Sequence, residues 1–179
     1  MTIRESDLRS MARLQKFAAL ETLAESHKIG AMLSHRRAFL SHSHLDQELA
    51  LGLRRKLSEA GVSLYIDWLD LTMPARTNVE TARKIQEAIS TCDYFLYLVT
   101  ANSSKSIWCP WELGYADGIK RELRDRIYVV PTVGDDNMER GKEYLGLYRV
   151  MDLHREDDGT EKFMFYDEQS TTRRHDFRG

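Results

Sequence analysis

Arg37-Ala-Phe-Leu-Ser-His-Ser-His-Leu-Asp-Gln-Glu-Leu-Ala-Leu-Gly-Leu-Arg-Arg-Lys-Leu-Ser-Glu-Ala-Gly61 is the stretch whose reading decides the fold. Arg37 to Ser41 is a short, mainly apolar run that predicts a buried strand. Ser43, His44 and Asp46 then open a helix on which Leu49, Leu53 and Leu57 share one face, and Gly61 stops it. Strand, helix and glycine make a βα unit. One such unit cannot cover its own strand, so the neighbours of this stretch must repeat it.

They do. Downstream, Val62 to Trp68 predicts a second strand, Thr72 to Asn78 a loop holding Pro74, and Val79 to Ser90 a helix with Val79, Ala82, Ile85 and Ile89 inward. Tyr94 to Thr100 is the most hydrophobic run and predicts a third strand. A helix follows from about Ser106 to Glu122, then a fourth strand from Arg126 to Val133 with Pro131 near its end. Lys142 to Leu147 predicts one helical turn, and Tyr148 to Leu153 a fifth strand. Apolar strands alternating with amphipathic helices predict a doubly wound α/β fold, a five-stranded parallel sheet with helices on both faces.

Outside this core, Leu8, Met11, Leu14, Phe17, Ala18 and Leu23 follow helical spacing from Ile3 to about Ser26, and Thr2 with Glu5 has capping-box separation. This N-terminal helix is expected to pack on the flank of the domain, or else to face a partner. Residues 1–36 therefore read as helix and connector, 37–168 as the main domain, and 169–179 as a polar tail. Phe163-Met-Phe-Tyr166 is a candidate edge strand.

Composition narrows the function classes. The 179 residues are 42% hydrophobic and 30% charged with a formal net charge of −2, as expected of one soluble globular domain. Lys and Arg are scattered, which argues against a nucleic-acid partner. No apolar run approaches the roughly 20 residues of a membrane-spanning helix. Two cysteines, Cys92 and Cys109, and no leader-like pattern point to a reducing cytoplasm.

In a doubly wound sheet, ligands bind at the carboxyl ends of the strands beside a switch in strand order. The polar residues gather there: Ser41, His42, Ser43 and His44 after the first strand, Asp67, Trp68 and Asp70 after the second, Thr100 and Asn102 after the third. Glu112 follows, near the start of a helix that Ser106 caps and Pro110 suits in its first turn. Trp108 lies four residues earlier, so ring and acid share a helix face and are expected to look out together. The bland alternative for Glu112 is a favourable position at a helix N-terminus, worth about 0.3–1 kcal/mol. Trp108 and Trp111 have a similar alternative as packing anchors, and His42 and His44 as capping or hydrogen-bonding residues. No metal is predicted, because the histidines lack Asp, Glu or Cys partners at zinc-ligand spacing. Cys109 is expected to have a lowered thiol pKa at the helix N-terminus, without the His and Asn that a cysteine nucleophile needs. Cys92 reads as packing.

Phe39-Leu-Ser-His-Ser43 followed by Asp46, Tyr65-Ile-Asp-Trp-Leu69, and Ser106-x-Trp-Cys-x-x-Glu112-Leu resemble, in order and spacing, the three boxes of a bacterial Toll/interleukin-1 receptor (TIR) domain. The resemblance covers about Arg37 to Leu153. It implies a flavodoxin-like fold and, in the enzymatic members, cleavage of the nicotinamide–ribose bond of NAD by an acid at the Glu112 position. Ser41, His42, Ser43, His44, Asp67, Leu69 and Trp108 are then the expected substrate-binding residues, with Met73, Pro74 and Arg76 on a loop that gates the site or contacts a neighbouring subunit. NAD is a substrate in this reading, and no cofactor is expected. The resemblance further implies self-association, a role in antiphage systems of the Thoeris type, and a separate effector that senses the product. One departure stands out: Thr72-Met-Pro-Ala-Arg-Thr-Asn78 lacks the glycine of many family loops. Two other functions fit the same residues. One is a non-catalytic assembly module, and the other is an enzyme like the nucleoside deoxyribosyltransferases, which also use a glutamate on a flavodoxin-like sheet.

Overall fold

A computed structural model describes residues 3–18, 36–74, 78–119, 126–134, 144–158 and 161–166. The chain enters as a two-residue strand, β1 (Ile3–Arg4), and turns into helix α1 (Glu5–Ala18). The βα unit follows as β2 (Arg36–Ser41), one 3-10 turn (His44–Asp46) and α2 (Gln47–Glu59). Gly61 ends it with a φ of 75°, where a side chain would be strained. Next come β3 (Val62–Tyr65), a 3-10 turn (Asp67–Leu69) and α3 (Val79–Thr91). Asn78 caps α3 by accepting the Thr81 N–H at 3.0 Å, and Thr81 Oγ1 returns the favour to the Asn78 N–H at 3.2 Å. The remaining elements are β4 (Tyr94–Val99), α4 (Trp108–Ile119), β5 (Ile127–Val133), a 3-10 turn (Tyr144–Leu147), β6 (Arg149–Arg155) and β7 (Glu161–Tyr166).

The sheet runs β3-β2-β4-β5-β6-β7, and its first five strands are parallel. This is the flavodoxin-like order, with the switch between β2 and β4. All six residues of β4 are buried, as a central strand covered on both faces requires. One face packs Ala38, Leu40, Leu64, Leu96 and Leu98 under Leu8 of α1 and Leu49, Leu53 and Leu57 of α2. The other packs Phe39, Phe95, Tyr97 and Val99 under Ile85 and Ile89 of α3 and Leu113 and Ala116 of α4. The expected α/β class, its five parallel strands and its helices on both faces are all present.

The candidate edge strand at Phe163–Tyr166 forms as β7, and three other details differ from the sequence reading. Ile3 and Arg4 do not start the first helix but pair, parallel, with Thr132 and Val133 of β5, which buries Ile3. β7 pairs antiparallel with β6 from Val150–Tyr166 to Arg155–Glu161, and Lys56 of α2 ties its start through an ion pair with Glu161. Asp67, Trp68 and Leu69 form a 3-10 turn and not the end of a strand. Val79, the first residue of α3, is exposed and not inward. The N-terminal helix packs within the chain against α2 through Leu8. The Thr2 cap, the connector to residue 35, Arg76 and the tail lie outside the described residues.

Candidate active site

The last paired residue of β2 is Ser41, opposite Tyr97 of β4. Period-two alternation turns Ser41 to the same face as Phe39, beneath α4. Ser106 fixes the start of α4: its Oγ accepts the N–H of Trp108 at 3.2 Å and of Cys109 at 3.3 Å, the pattern of an N-cap. One turn further, Glu112 points inward. Its Oε2 accepts a hydrogen bond from Ser41 Oγ at 2.6 Å, and the two residues are 5% and 1% exposed. The acid sits in the crevice at the strand-order switch.

Burial pushes the Glu112 carboxyl up to about 8, with the negative charge of Asp67 adding to the rise and the Ser41 hydrogen bond opposing it. The shift favours the protonated, neutral form of the Glu112 carboxyl. Its Oε1 makes no hydrogen bond among the described residues. Asp67 is half-buried, and its Oδ1 is buried with no hydrogen-bond partner among the described residues.

Trp108 is half-buried and meets Trp111 edge to face at 5.4 Å, while Trp111 stacks on Tyr115 at 6.3 Å. The expectation that acid and ring look out together is corrected: α4 is rotated so that Glu112 faces the sheet and the rings lie to its side. Met73 packs against the same cluster as Trp108. Leu69 packs against the cluster on the opposite face of the sheet, away from Trp108.

His42 is spoken for at both ring nitrogens. Nδ1 lies 3.2 Å from the Leu40 carbonyl, which accepts only, and Nε2 lies 3.0 Å from Trp68 Nε1, which donates only. The pair of contacts makes His42 a brace between the end of β2 and the turn after β3. Ser43 is buried, with its Oγ 3.4 Å from the Leu45 N–H, while His44 is exposed. The loop after that turn is pinned at Asp70. Its Oδ1 accepts from the Thr72 N–H at 2.9 Å and hydroxyl at 2.7 Å, and its Oδ2 from Tyr65 Oη at 2.8 Å. Burial raises the Asp70 carboxyl, but these bonds and Lys84 outweigh it and hold the group below its ordinary value. Pro74 follows, half-buried.

Sequence reasoning missed two features of the site. Asp46 does not cap α2 but turns its carboxylate to the far side of the crevice. Cys109 is fully buried between Ser106, Ser41 and Glu112, and burial pushes its thiol up to about 11, the reverse of the expected direction. Both cysteines are buried thiols that are not joined in a disulfide. Neither is expected to react with a disulfide reagent at pH 8 in the native protein, and both should react once the chain is unfolded in guanidinium. Rapid native labelling of Cys109 would show the site to be more open than described. Among the described residues no cluster could hold a metal ion, and no helix is long and apolar enough to cross a membrane.

A flavodoxin-ordered sheet with a buried acid at its switch point defines a class here. Residues 38–164 match the model of the TIR domain, and the chain belongs to that family. It is also similar to ThsB′ of Bacillus cereus (strain MSX-D12), named as a probable 3′ cyclic ADP-D-ribose synthase. The two are 40% identical over 114 residues, which is 62% of this chain and 57% of the relative. The matched part thus spans little more than half of that relative.

Proposed function

We propose that this protein cleaves the nicotinamide–ribose bond of NAD and converts the ADP-ribosyl part into a nucleotide signal, with Glu112 as the catalytic carboxylate. The observation that carries the reading is the Glu112 carboxyl, buried at the switch point and held by Ser41. Nicotinamide leaves a cationic pyridinium as a neutral molecule, so no general acid is required. The ribosyl carbon gains oxocarbenium character, and a carboxylate beside it stabilises that charge. A group that is neutral when the site is empty ionises when the pyridinium cation enters, releasing its proton to solvent. In this reading Trp108 offers a flat ring to the nicotinamide, and Ser43 and His44 hydrogen-bond phosphates or a base.

The relative's name favours ring closure over hydrolysis. In that outcome a hydroxyl of the same ADP-ribosyl unit adds to the ribosyl carbon as nicotinamide departs, and its proton is lost. NAD serves as substrate and no cofactor is involved. We place the reaction in the cytoplasm, in antiphage signalling of the Thoeris type, with self-association of the domain ordering the site and a separate effector sensing the product. Incubation with NAD, alone and with phage-infected lysate, is expected to release nicotinamide and yield a product of ADP-ribose or cyclic ADP-ribose mass. No release in either condition overturns the proposal.

A further inference from the structure

Ser41 and Glu112 are 71 residues apart in the chain, yet their hydrogen bond is 2.6 Å. The β2–β4 ladder that brings their segments together ends at Ser41 and Tyr97. Beyond it, the turn after β2 and the segment leading into α4 have no main-chain pairing to each other in that ladder. Asp46 spans this gap. Thr100 Oγ1 donates to its Oδ2 at 2.6 Å, and Asn102 Nδ2 donates to its Oδ1 at 2.6 Å. The carboxylate is 2% exposed, so it depends on these two donors.

The connection continues on both sides. The Asp46 N–H donates to the Ser43 carbonyl at 2.8 Å, close to Ser41. Thr100 Oγ1 accepts the N–H of Asn102 at 3.1 Å and of Ser103 at 2.9 Å, and the Ser106 N–H donates to the Ser103 carbonyl at 3.1 Å. Ser106 then caps the helix that carries Glu112.

We propose that Asp46 is a positioning residue, whose carboxylate fixes the turn after β2 against the segment entering α4 and so keeps Ser41 within hydrogen-bonding distance of Glu112. Its effect on catalysis rests on the NAD-cleaving reading, but its effect on Glu112 does not. The groups that face Glu112 electrostatically are Asp67, from the turn after β3, and Cys109 on its own helix, on which Asp46 also acts. Removing the Asp46 charge by itself would make Glu112 easier to ionise. Losing the Ser41 hydrogen bond does the opposite. The two effects have different signs, so a titration separates positioning from simple electrostatics.

Asn is the conservative replacement. Its Oδ1 can accept from Thr100, and its amide can donate to Asn102 after that side chain flips, so the span survives without charge. The test is a carbon-detected NMR titration of Glu112, assigned by its absence in Glu112→Gln, together with nicotinamide release from NAD. Asp46→Ala is expected to raise the Glu112 midpoint by about half a pH unit or more. It should also lower kcat by about ten- to a hundredfold. Asp46→Asn should return the midpoint to the wild-type value or slightly below, and restore most of kcat. Should Asp46→Ala fail to fold, Asn102→Ala removes one of the two bonds and is expected to give a smaller rise. A folded Asp46→Ala or Asn102→Ala protein whose Glu112 midpoint is unchanged or lower overturns the proposal. A raised midpoint in a protein that never cleaves NAD supports the positioning and overturns the NAD-cleaving reading instead.

Discussion

Glu112→Gln is expected to reduce nicotinamide release by about a thousandfold or more, the scale of losing a transition-state charge partner in a dry site, while making the protein more stable at neutral and alkaline pH. The two effects have one cause. Burial raises the Glu112 carboxyl to about 8 in the folded protein, from an ordinary value of 4.5. A raised carboxyl contributes its full stability below the unfolded value and loses it as pH climbs toward the folded one. Between 4.5 and 8 the wild type must therefore weaken relative to Gln, by at most about 5 kcal/mol when the loss is complete. Gln keeps the shape and can still accept the Ser41 hydrogen bond. Thermal melts of both proteins should nearly coincide at pH 4.5 and diverge to a plateau past pH 8. A gap that does not change with pH would remove the basis for a buried neutral acid. In the active wild type, kcat/KM should rise along a limb near pH 8, which reports the free enzyme. The limb in kcat should lie lower, because bound pyridinium favours the carboxylate.

Much of this arrangement was legible in the sequence. Phe39 and Leu40 before a helix of leucine spacing, and the apolar run at Tyr94–Val99, fix strands and helices by period alone. Ser41 and Glu112 are legible because polar residues following apolar strands mark the ligand edge of such a sheet. The inward turn of Glu112 is not. Trp108, Cys109, Trp111, Leu113, Tyr115 and Ala116 surround it with apolar groups on nearly every side of α4, so periodicity leaves the rotation of this helix undetermined. The same ambiguity hid the burial of Cys109, whose expected shift assumed an open helix end. Ile3–Arg4 escaped because two residues carry no period, and Ile3 also fits the helical pattern that follows. Asp46 has the look of a helix cap, and its real partners lie 54 and 56 residues away. No local signal specifies such contacts.

Gly52→Ala is expected to destabilise the protein by about 3 kcal/mol, although Ala is the better helix former by ~1 kcal/mol. The sign is set by one contact. A Cβ built on Gly52, in the middle of α2, would lie 2.8 Å from Leu8 Cα and 2.7 Å from the Leu8 carbonyl carbon, with the carbonyl oxygen nearer still. These are backbone atoms of α1, so no rotamer change relieves the clash. The two helices must separate, and Leu8, fully buried between them, loses its packing. Separation also pulls on β1, whose pairing with Thr132 and Val133 is only two residues long. Gly114→Ala in α4 is the internal control: its Cβ would meet nothing within 4 Å, so propensity alone acts there and the change is expected to be neutral or slightly stabilising. Urea titrations of the two variants should move in opposite directions, or leave Gly114→Ala unmoved while Gly52→Ala falls. Hydrogen exchange in Gly52→Ala should show protection lost first in α1 and at Thr132–Val133, with β2 and β4 protected longer. Equal stability of Gly52→Ala and wild type would mean that α1 does not approach α2 as closely as Leu8 and Gly52 place it.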